Sequence, residues 1–396
     1  MAIDASKPVY INGAGIAGLT TALVLAKAGY RVRVFERAEG FETIGAGLQL
    51  SPNAMRVLSN LGLAEKILAV AVEPDTLVIR SGRWNWQLAS LALGDNMKRQ
   101  YGERYLVIHR ADLQQVLFSA CQYHPQISVE FSSEITEMAP YQRGVTISLR
   151  QNGDEFEHAG VAAIVADGVW SQLRTKVMQL DPPVYSGKVA WRAVFPASSV
   201  WSLDALKQVS VWFGPRSHVV AYPVRSGRQL NMVVITAGPA TSDGHTLNAE
   251  VGELLPRFKR WRAPFVTLME EQARWTGWPL FETPKPDRLH IGSVALVGDA
   301  AHGMLPFAAQ GAAMAIEDAA VLGRCFTQHN SITDAMDAYS RARLARVSKV
   351  MKTARKNGEI YHLGFPASSV RNIGMRLLPG SMLSRRQDWI YGWRPE

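Results

Sequence analysis

Glu36, Asp167 and Asp299 are the acids of this chain whose placement suggests chemistry, because each closes a short apolar run of strand character. Carboxylates at such points can accept hydrogen bonds from sugar hydroxyls. The first belongs to the most complete pattern. Val9 to Ile11 is an apolar run ending in Asn12, and Gly13-Ala14-Gly15-Ile16-Ala17-Gly18 follows with the spacing G-x-G-x-x-G. Gly13 permits a tight turn, Gly15 leaves the backbone open to a pyrophosphate, and Gly18 lets the next helix lie close on the strand. Ala17 belongs to the same turn. A helix from about Ile16 to Ala28, stopped by Gly29, aims its free N–H groups and positive dipole end at the phosphate. A second strand, Tyr30 to Phe35, closes on Glu36, about 20 residues past the glycines, where a carboxylate meets the ribose hydroxyls of an adenosine.

The other two acids lie far along the chain. Val161 to Ala166 ends in Asp167-Gly168, with Ser171 and Arg174 beyond it. Ser293 to Val297 ends in Gly298-Asp299-Ala300-Ala301-His302 and passes Gln310-Gly311 into a helix from Ala312 to Cys325. A ligand touched from three remote segments is longer than a nicotinamide dinucleotide needs, and FAD fits that length. Asp299 suits the ribityl hydroxyls, with a turn or capping role as its structural alternative. The helix after Gly311, through Ala312, would present its first amides to the flavin's pyrimidine edge. Gln49, in the glycine-rich entry Gly45 to Leu50, and Arg110, at the junction between the run Leu106 to His109 and a helix, are further candidates for cofactor contact.

Three parts must position these residues. The chain has 396 residues, 47% of them hydrophobic, enough for two domains. The expected class is α/β: a Rossmann-type FAD-binding domain interleaved with an antiparallel β-sheet substrate domain and followed by a C-terminal helical segment. The divisions fall at 1–181, 182–280 and 281–396, with strands near 77–93 contributing to the substrate side. No apolar run reaches ~18 residues, so no membrane span is expected. The start lacks the marks of a signal peptide. Cys121 and Cys325 stand apart, so neither a disulfide framework nor a metal site is expected, and the cytoplasm is the expected compartment. The net charge of +9 gathers partly in Arg341, Arg343, Arg346, Lys349, Lys352, Arg355 and Lys356, which read as the wet face of an amphipathic helix. No nucleic-acid motif accompanies them. Trp84 and Trp86 read as packing aromatics on strands.

These motifs, together with Ala166-Asp167-Gly168-Val169-Trp170-Ser171-Gln172-Leu173-Arg174 and the ending Asp388-Trp389-Ile390-Tyr391-Gly392, resemble the single-component FAD-dependent aromatic hydroxylases, the salicylate and hydroxybenzoate hydroxylase family. The resemblance runs from about residue 8 to 325. It implies non-covalent FAD, reduction by NADH or NADPH without a second nicotinamide domain, and a flavin C4a-hydroperoxide that passes one oxygen of O2 to a small aromatic or heteroaromatic substrate. By it Glu36 and Arg37 flank the adenosine, Gln49 and Arg110 approach the flavin and its phosphates, Ile135 meets the adenine through its backbone, and Asp167 serves both FAD and nicotinamide. Gly303 departs from the pattern, since relatives often carry proline there. A monomer or homodimer is expected. Two other functions stay open: a flavin oxidase or epoxidase on a non-aromatic substrate, and a nucleotide-binding regulatory module without catalysis.

Runs near Lys188 to Phe195, Gln208 to Phe213, His218 to Val224 and Gln229 to Thr236 read as the antiparallel substrate sheet; Trp191, Trp212, Phe213 and Tyr222 offer aromatic wall, with most of them expected in the core and one or two facing ligand. Phenols react faster as phenolates, so a base beside the ring hydroxyl is useful. By the family alignment some members place that histidine where this chain has Ala221. His218 is three residues earlier, on the opposite face of a regular strand, unless a bulge realigns it. His218 as base or substrate anchor and Arg192 as partner of a substrate carboxylate are the catalytic candidates, for an anionic substrate.

Overall fold

The computed structural model describes residues 6–41, 47–240 and 246–395. One half is a six-stranded sheet in the order His290–Ile291, Val294–Leu296, Ala162–Val165, Val9–Asn12, Val32–Phe35 and Ile127–Glu130. Neighbours run parallel except the first pair, a hairpin. Val9–Asn12 and Ala162–Val165 are buried throughout, which explains why they read as unbroken apolar runs rather than alternating ones. Helix Ile16–Lys27 lies so close on this sheet that a Cβ at Gly18 would stand 1.9 Å from the Gly13 carbonyl oxygen. Gly13 itself takes φ +105°, a left-handed conformation that favours glycine.

The other half is an eight-stranded sheet in the order Leu247–Glu250, Arg274–Glu282, Val184–Pro196, Gln229–Ala237, Ser217–Val224, Gln208–Gly214, Thr76–Ser81 and Gln87–Ala92. Only Gln208–Gly214 and Thr76–Ser81 pair in parallel. Both faces are covered. The far face packs Trp191, Trp212, Ala221, Met232 and Val234 against Leu254, Phe258 and Phe265. The near face looks toward the nucleotide half, with Phe213, Val220 and Tyr222 in one cluster and Ala190 and Ile235 in another. Trp191 and Trp212 are therefore core of the far side, not ligand wall; Phe213 and Tyr222 keep the near side.

Two sequence expectations about surfaces change. Trp84 and Trp86 sit at the hairpin between Thr76–Ser81 and Gln87–Ala92, not on strands. They are 41% and 57% exposed, and their rings stack on each other at 5.8 Å. The basic helix is real and long, Ile332–Tyr361, but Arg343 on it is buried. Short helices Ala367–Leu377, Gly380–Arg385 and Asp388–Tyr391 finish the chain.

Candidate active site

At the carboxyl ends of the parallel strands, where open α/β sheets hold ligands, lies a cavity of about 660 Å³. Gly13, Gly15, Glu36, Arg37, Arg110, Ile135 and Asp167 all line it. The position of a Cβ on Gly15 is open space, as a pyrophosphate path requires. The Glu36 carboxylate accepts from Ala14 N–H at 2.9 Å and Ala38 N–H at 3.1 Å, so it fixes the glycine turn while bordering the cavity. Asp167 Oδ2 accepts from Asn12 Nδ2 at 3.2 Å, and its Oδ1 is buried with no hydrogen-bond partner among the described residues. Burial pushes this carboxyl up to about 6, against the opposing pull of Ser171, Arg37 and Asn12. An orphaned buried acceptor beside such a cavity calls for a donor from a ligand. These features fit an adenosine pyrophosphate.

Ala17, Gly18, Gln49, Asp299, Gly311 and Ala312 do not line that cavity. Gly18 serves helix packing, and Ala17 touches the second loop: a Cβ on Gly298, φ +61°, would stand 2.8 Å from Ala17 Cβ. Asp299 opens the one-turn helix Asp299–His302, exposed and with no side-chain hydrogen bond among the described residues, so it caps nothing. Its Oδ1 is 3.9 Å from where a Cβ on Gly311 would be, which brings it to the start of helix Gly311–Gln328 with Ala312. Gln49 lies on the ribbon Gly47–Leu50 paired with Leu106–His109, the strand that runs into Arg110, and accepts from the Tyr105 hydroxyl. Gly45 and Ala46 lie outside the described residues. Gly303, in place of proline, uses its N–H to bond Asp299 O at 3.0 Å, and its carbonyl accepts from Thr283 N–H at 2.9 Å. The loop is thus fixed without proline.

Beneath this loop runs a buried polar network that sequence reasoning missed. Asn53 Nδ2 donates to Gln310 Oε1 and Glu317 Oε1, and Gln310 Nε2 donates to Ser51 Oγ. Arg343 joins Glu317 and Asp318, each at 2.7 Å, and His302 Nε2 meets Asp318 Oδ2 at 2.5 Å. Arg174 is also buried; its Nη1 donates to the carbonyls of Ala300 and Ala301, tying the Asp167 loop to the Asp299 loop. The one available signal was the pair Glu317-Asp318, set between the apolar runs Ala312 to Ile316 and Ala319 to Leu322 of one helix.

On the near face of the large sheet, the register of Ser217–Val224 against both neighbours is continuous, with no bulge. His218 and Tyr222 therefore point to the nucleotide half and Ala221 points to the far core, so no realignment of His218 onto position 221 occurs. His218 pairs with Ile235, and Arg192 with Val233 on the other side of the same strand. Both thus share one face, and strand spacing and rise put their Cα atoms roughly 12 Å apart. Arg192 has a buried Nε without a partner and no ion pair among the described residues; its guanidinium stacks on Trp278 at 5.0 Å. Burial pushes it down to about 10, with Tyr222 opposing and Arg110 adding. Burial holds His218 well below its ordinary value, with His362 and Lys188 adding. The His218 ring lies 5.3 Å from that of Phe307, on the loop that leads to Gln310. Gly47 N–H bonds Asn231 Oδ1 at 3.0 Å, seating the Gln49 ribbon over this face.

Comparison with known proteins agrees with this geometry. The FAD binding domain family matches residues 6–354. The chain is 33% identical over 385 residues to 3-hydroxybenzoate 6-hydroxylase 1 of Aquipseudomonas alcaligenes, covering 97% of each. It is 34% identical to 3-amino-4-hydroxybenzoate 2-monooxygenase of Streptomyces cremeus, over 98% of this chain and 96% of that one. A variant of Klebsiella pneumoniae HpxO, solved with FAD, superposes with a TM-score of 0.85 at 25% identity, over 97% of this chain and 98% of that one. Among the described residues no helix is long and apolar enough to cross a membrane, and no group of three His, Cys, Asp or Glu could hold a metal. With its dinucleotide cavity, second acid loop and near-complete alignment, this enzyme belongs to the FAD-dependent aromatic hydroxylase family.

Proposed function

We propose that the enzyme hydroxylates a small aromatic or heteroaromatic acid bearing a ring hydroxyl, consuming NADH or NADPH and molecular oxygen. The observation that carries this reading is the placement of Arg192 and His218 on one face with a strand between them. The guanidinium has no carboxylate partner among the described residues and its Nε is buried without a hydrogen bond, so a ligand anion answers its charge. The imidazole, kept neutral by burial, can accept a proton from a ring hydroxyl at the other end. The substrates named for the two relatives, 3-hydroxybenzoate and 3-amino-4-hydroxybenzoate, each carry both groups. FAD, when bound, would supply the redox chemistry, hydride acceptance from the nicotinamide and oxygen transfer to the ring. Asp167, Glu36, Arg37, Arg110 and Ile135 would hold its adenosine and pyrophosphate, and Gln49, Asp299, Gly311 and Ala312 its ribityl and flavin parts.

A panel of hydroxybenzoates and hydroxypyridine carboxylates tests the reading through the rate of NADH oxidation and the identity of the product. Stimulation by hydroxy acids, with a hydroxylated product, supports it. Equal stimulation by phenols lacking the carboxylate removes the role of Arg192, and turnover of non-aromatic substrates alone restores the oxidase alternative.

A further inference from the structure

His218 has a second titratable partner, on its side away from the substrate. His218 Nδ1 lies 2.7 Å from Nε2 of His362, the residue that ends the helix Ile332–Tyr361. Two neutral imidazoles at that distance share one N–H. With Nδ1 so engaged, the ring nitrogen left for a substrate is His218 Nε2. His362 differs from His218 in exposure: His218 is buried, whereas His362 is partly exposed. It bridges the closed site to the surface.

The helix end is held to keep this contact. Arg371 Nη1 donates to the carbonyls of Ile360 and Tyr361, the Tyr361 hydroxyl donates to Phe307 O at 3.2 Å, and Arg216 N–H donates to His362 O at 3.1 Å. The Tyr361 ring stacks on Phe213 at 4.3 Å. The charged groups bearing on the pair are Lys188 and Arg371, both cationic, and the ionisable group packed on it is the Tyr361 phenol. No carboxylate stabilises an imidazolium there among the described residues. Burial, Lys188 and Arg371 push His362 down to about 4, so a proton that reaches it does not stay.

Resting on the reading of His218 as base, we propose that His362 is the proton outlet of the site, a positioning residue that relays the substrate's proton from His218 to solvent. The substrate O–H bond breaks toward His218 Nε2. The His218 Nδ1 proton passes to His362 Nε2, and the His362 Nδ1 proton leaves to water. The balance is one phenolate bound and one proton released, with both rings left in the opposite tautomer. Moving the protons back along the same pair resets them when the ring oxygen is reprotonated in turnover.

The test mixes oxidised, FAD-loaded enzyme with 3-hydroxybenzoate and a pH-indicator dye in a stopped-flow instrument. Wild type should release close to one proton per substrate bound. His362→Gln keeps a hydrogen bond to His218 but cannot relay, so release should slow at least tenfold while FAD content and substrate affinity stay within about threefold. His362→Ala should behave alike and recover with added imidazole. Wild-type release rates in His362→Gln overturn the relay. If His218→Gln also releases its proton at the wild-type rate, the base reading fails instead. Failure of the probe to bind contradicts the proposed substrate class, and the relay with it.

Discussion

Arg343 Nε lies 2.7 Å from Asp318 Oδ1, a fully buried ion pair between the long C-terminal helix and the helix that starts beside Asp299. Glu317 takes a second guanidinium nitrogen at 2.7 Å, and His302 closes the remaining Asp318 oxygen. Through His302 and the Gly298 N–H, which also bonds Asp318 Oδ2, the pair fixes the loop that carries Asp299. Buried pairs add little net stability over apolar ones, but removing one partner strands the other.

Arg343→Met should therefore cost about 3–5 kcal/mol of stability and release FAD. Urea denaturation and the flavin absorbance retained after gel filtration check both effects. A variant as stable as wild type would mean that Arg346 on Glu317, and His302 with the Gly298 N–H on Asp318, suffice without Arg343.

Acid should weaken the fold in two stages. The folded pKa values of His218 and His362 are lowered, so the unfolded chain takes up protons below about 6.5 that the folded chain refuses. Stability falls from there until His362 is protonated in the fold, at about 4. Burial pushes the Asp318 carboxyl up, but His302, Arg343 and the Gly298 N–H more than offset it. Its stabilisation is full above the ordinary carboxylate range and is lost as pH drops below it. Denaturation midpoints across pH should show the first slope reduced in His362→Asn and the second removed in Asp318→Asn.

Asp299→Ala should bind FAD about tenfold to a hundredfold more weakly, the loss expected when ribityl hydroxyls go unpaired. Equilibrium titration of apoprotein with FAD measures it. Unchanged affinity would leave Asp299 as a turn residue.

The two catalytic candidates should separate by kinetic signature. Arg192→Met should raise KM for a hydroxybenzoate by about tenfold to a hundredfold, the value of a lost charge-assisted bond, and leave a carboxylate-free phenol unaffected. His218→Ala should keep FAD and substrate-stimulated NADH oxidation but yield less product and more hydrogen peroxide per NADH. Coupling equal to wild type would make His218 structural.

Much of the nucleotide half was legible because its signals are local. The turn around Gly13, Gly15 and Gly18 and the strand closing on Glu36 are set by steric and hydrogen-bonding needs within one βαβ unit, and Gly298-Asp299 lies at a strand end for the same reason. Pairings between distant elements were not. Arg343 repeats at helical spacing with cations such as Lys349 and Lys352 that are exposed, and nothing beside it in sequence shows that Glu317 and Asp318 cover it. Trp191 and Tyr222 could not be assigned to faces because the large sheet is buried on both, so alternation does not say which side holds the ligand. His362 gave no sign: its importance comes from where a helix of 30 residues ends.

The proposed reaction transfers one oxygen atom of O2 to an aromatic acid on FAD. Turnover of 3-hydroxybenzoate, or of the panel acid that best stimulates NADH oxidation, under heavy-isotope dioxygen tests it most directly, with the product mass read by spectrometry. One labelled oxygen atom should appear in the product ring for each NADH consumed in coupled turnover. A product without the label, or hydrogen peroxide as the sole fate of the oxygen with every acid of the panel, would contradict it.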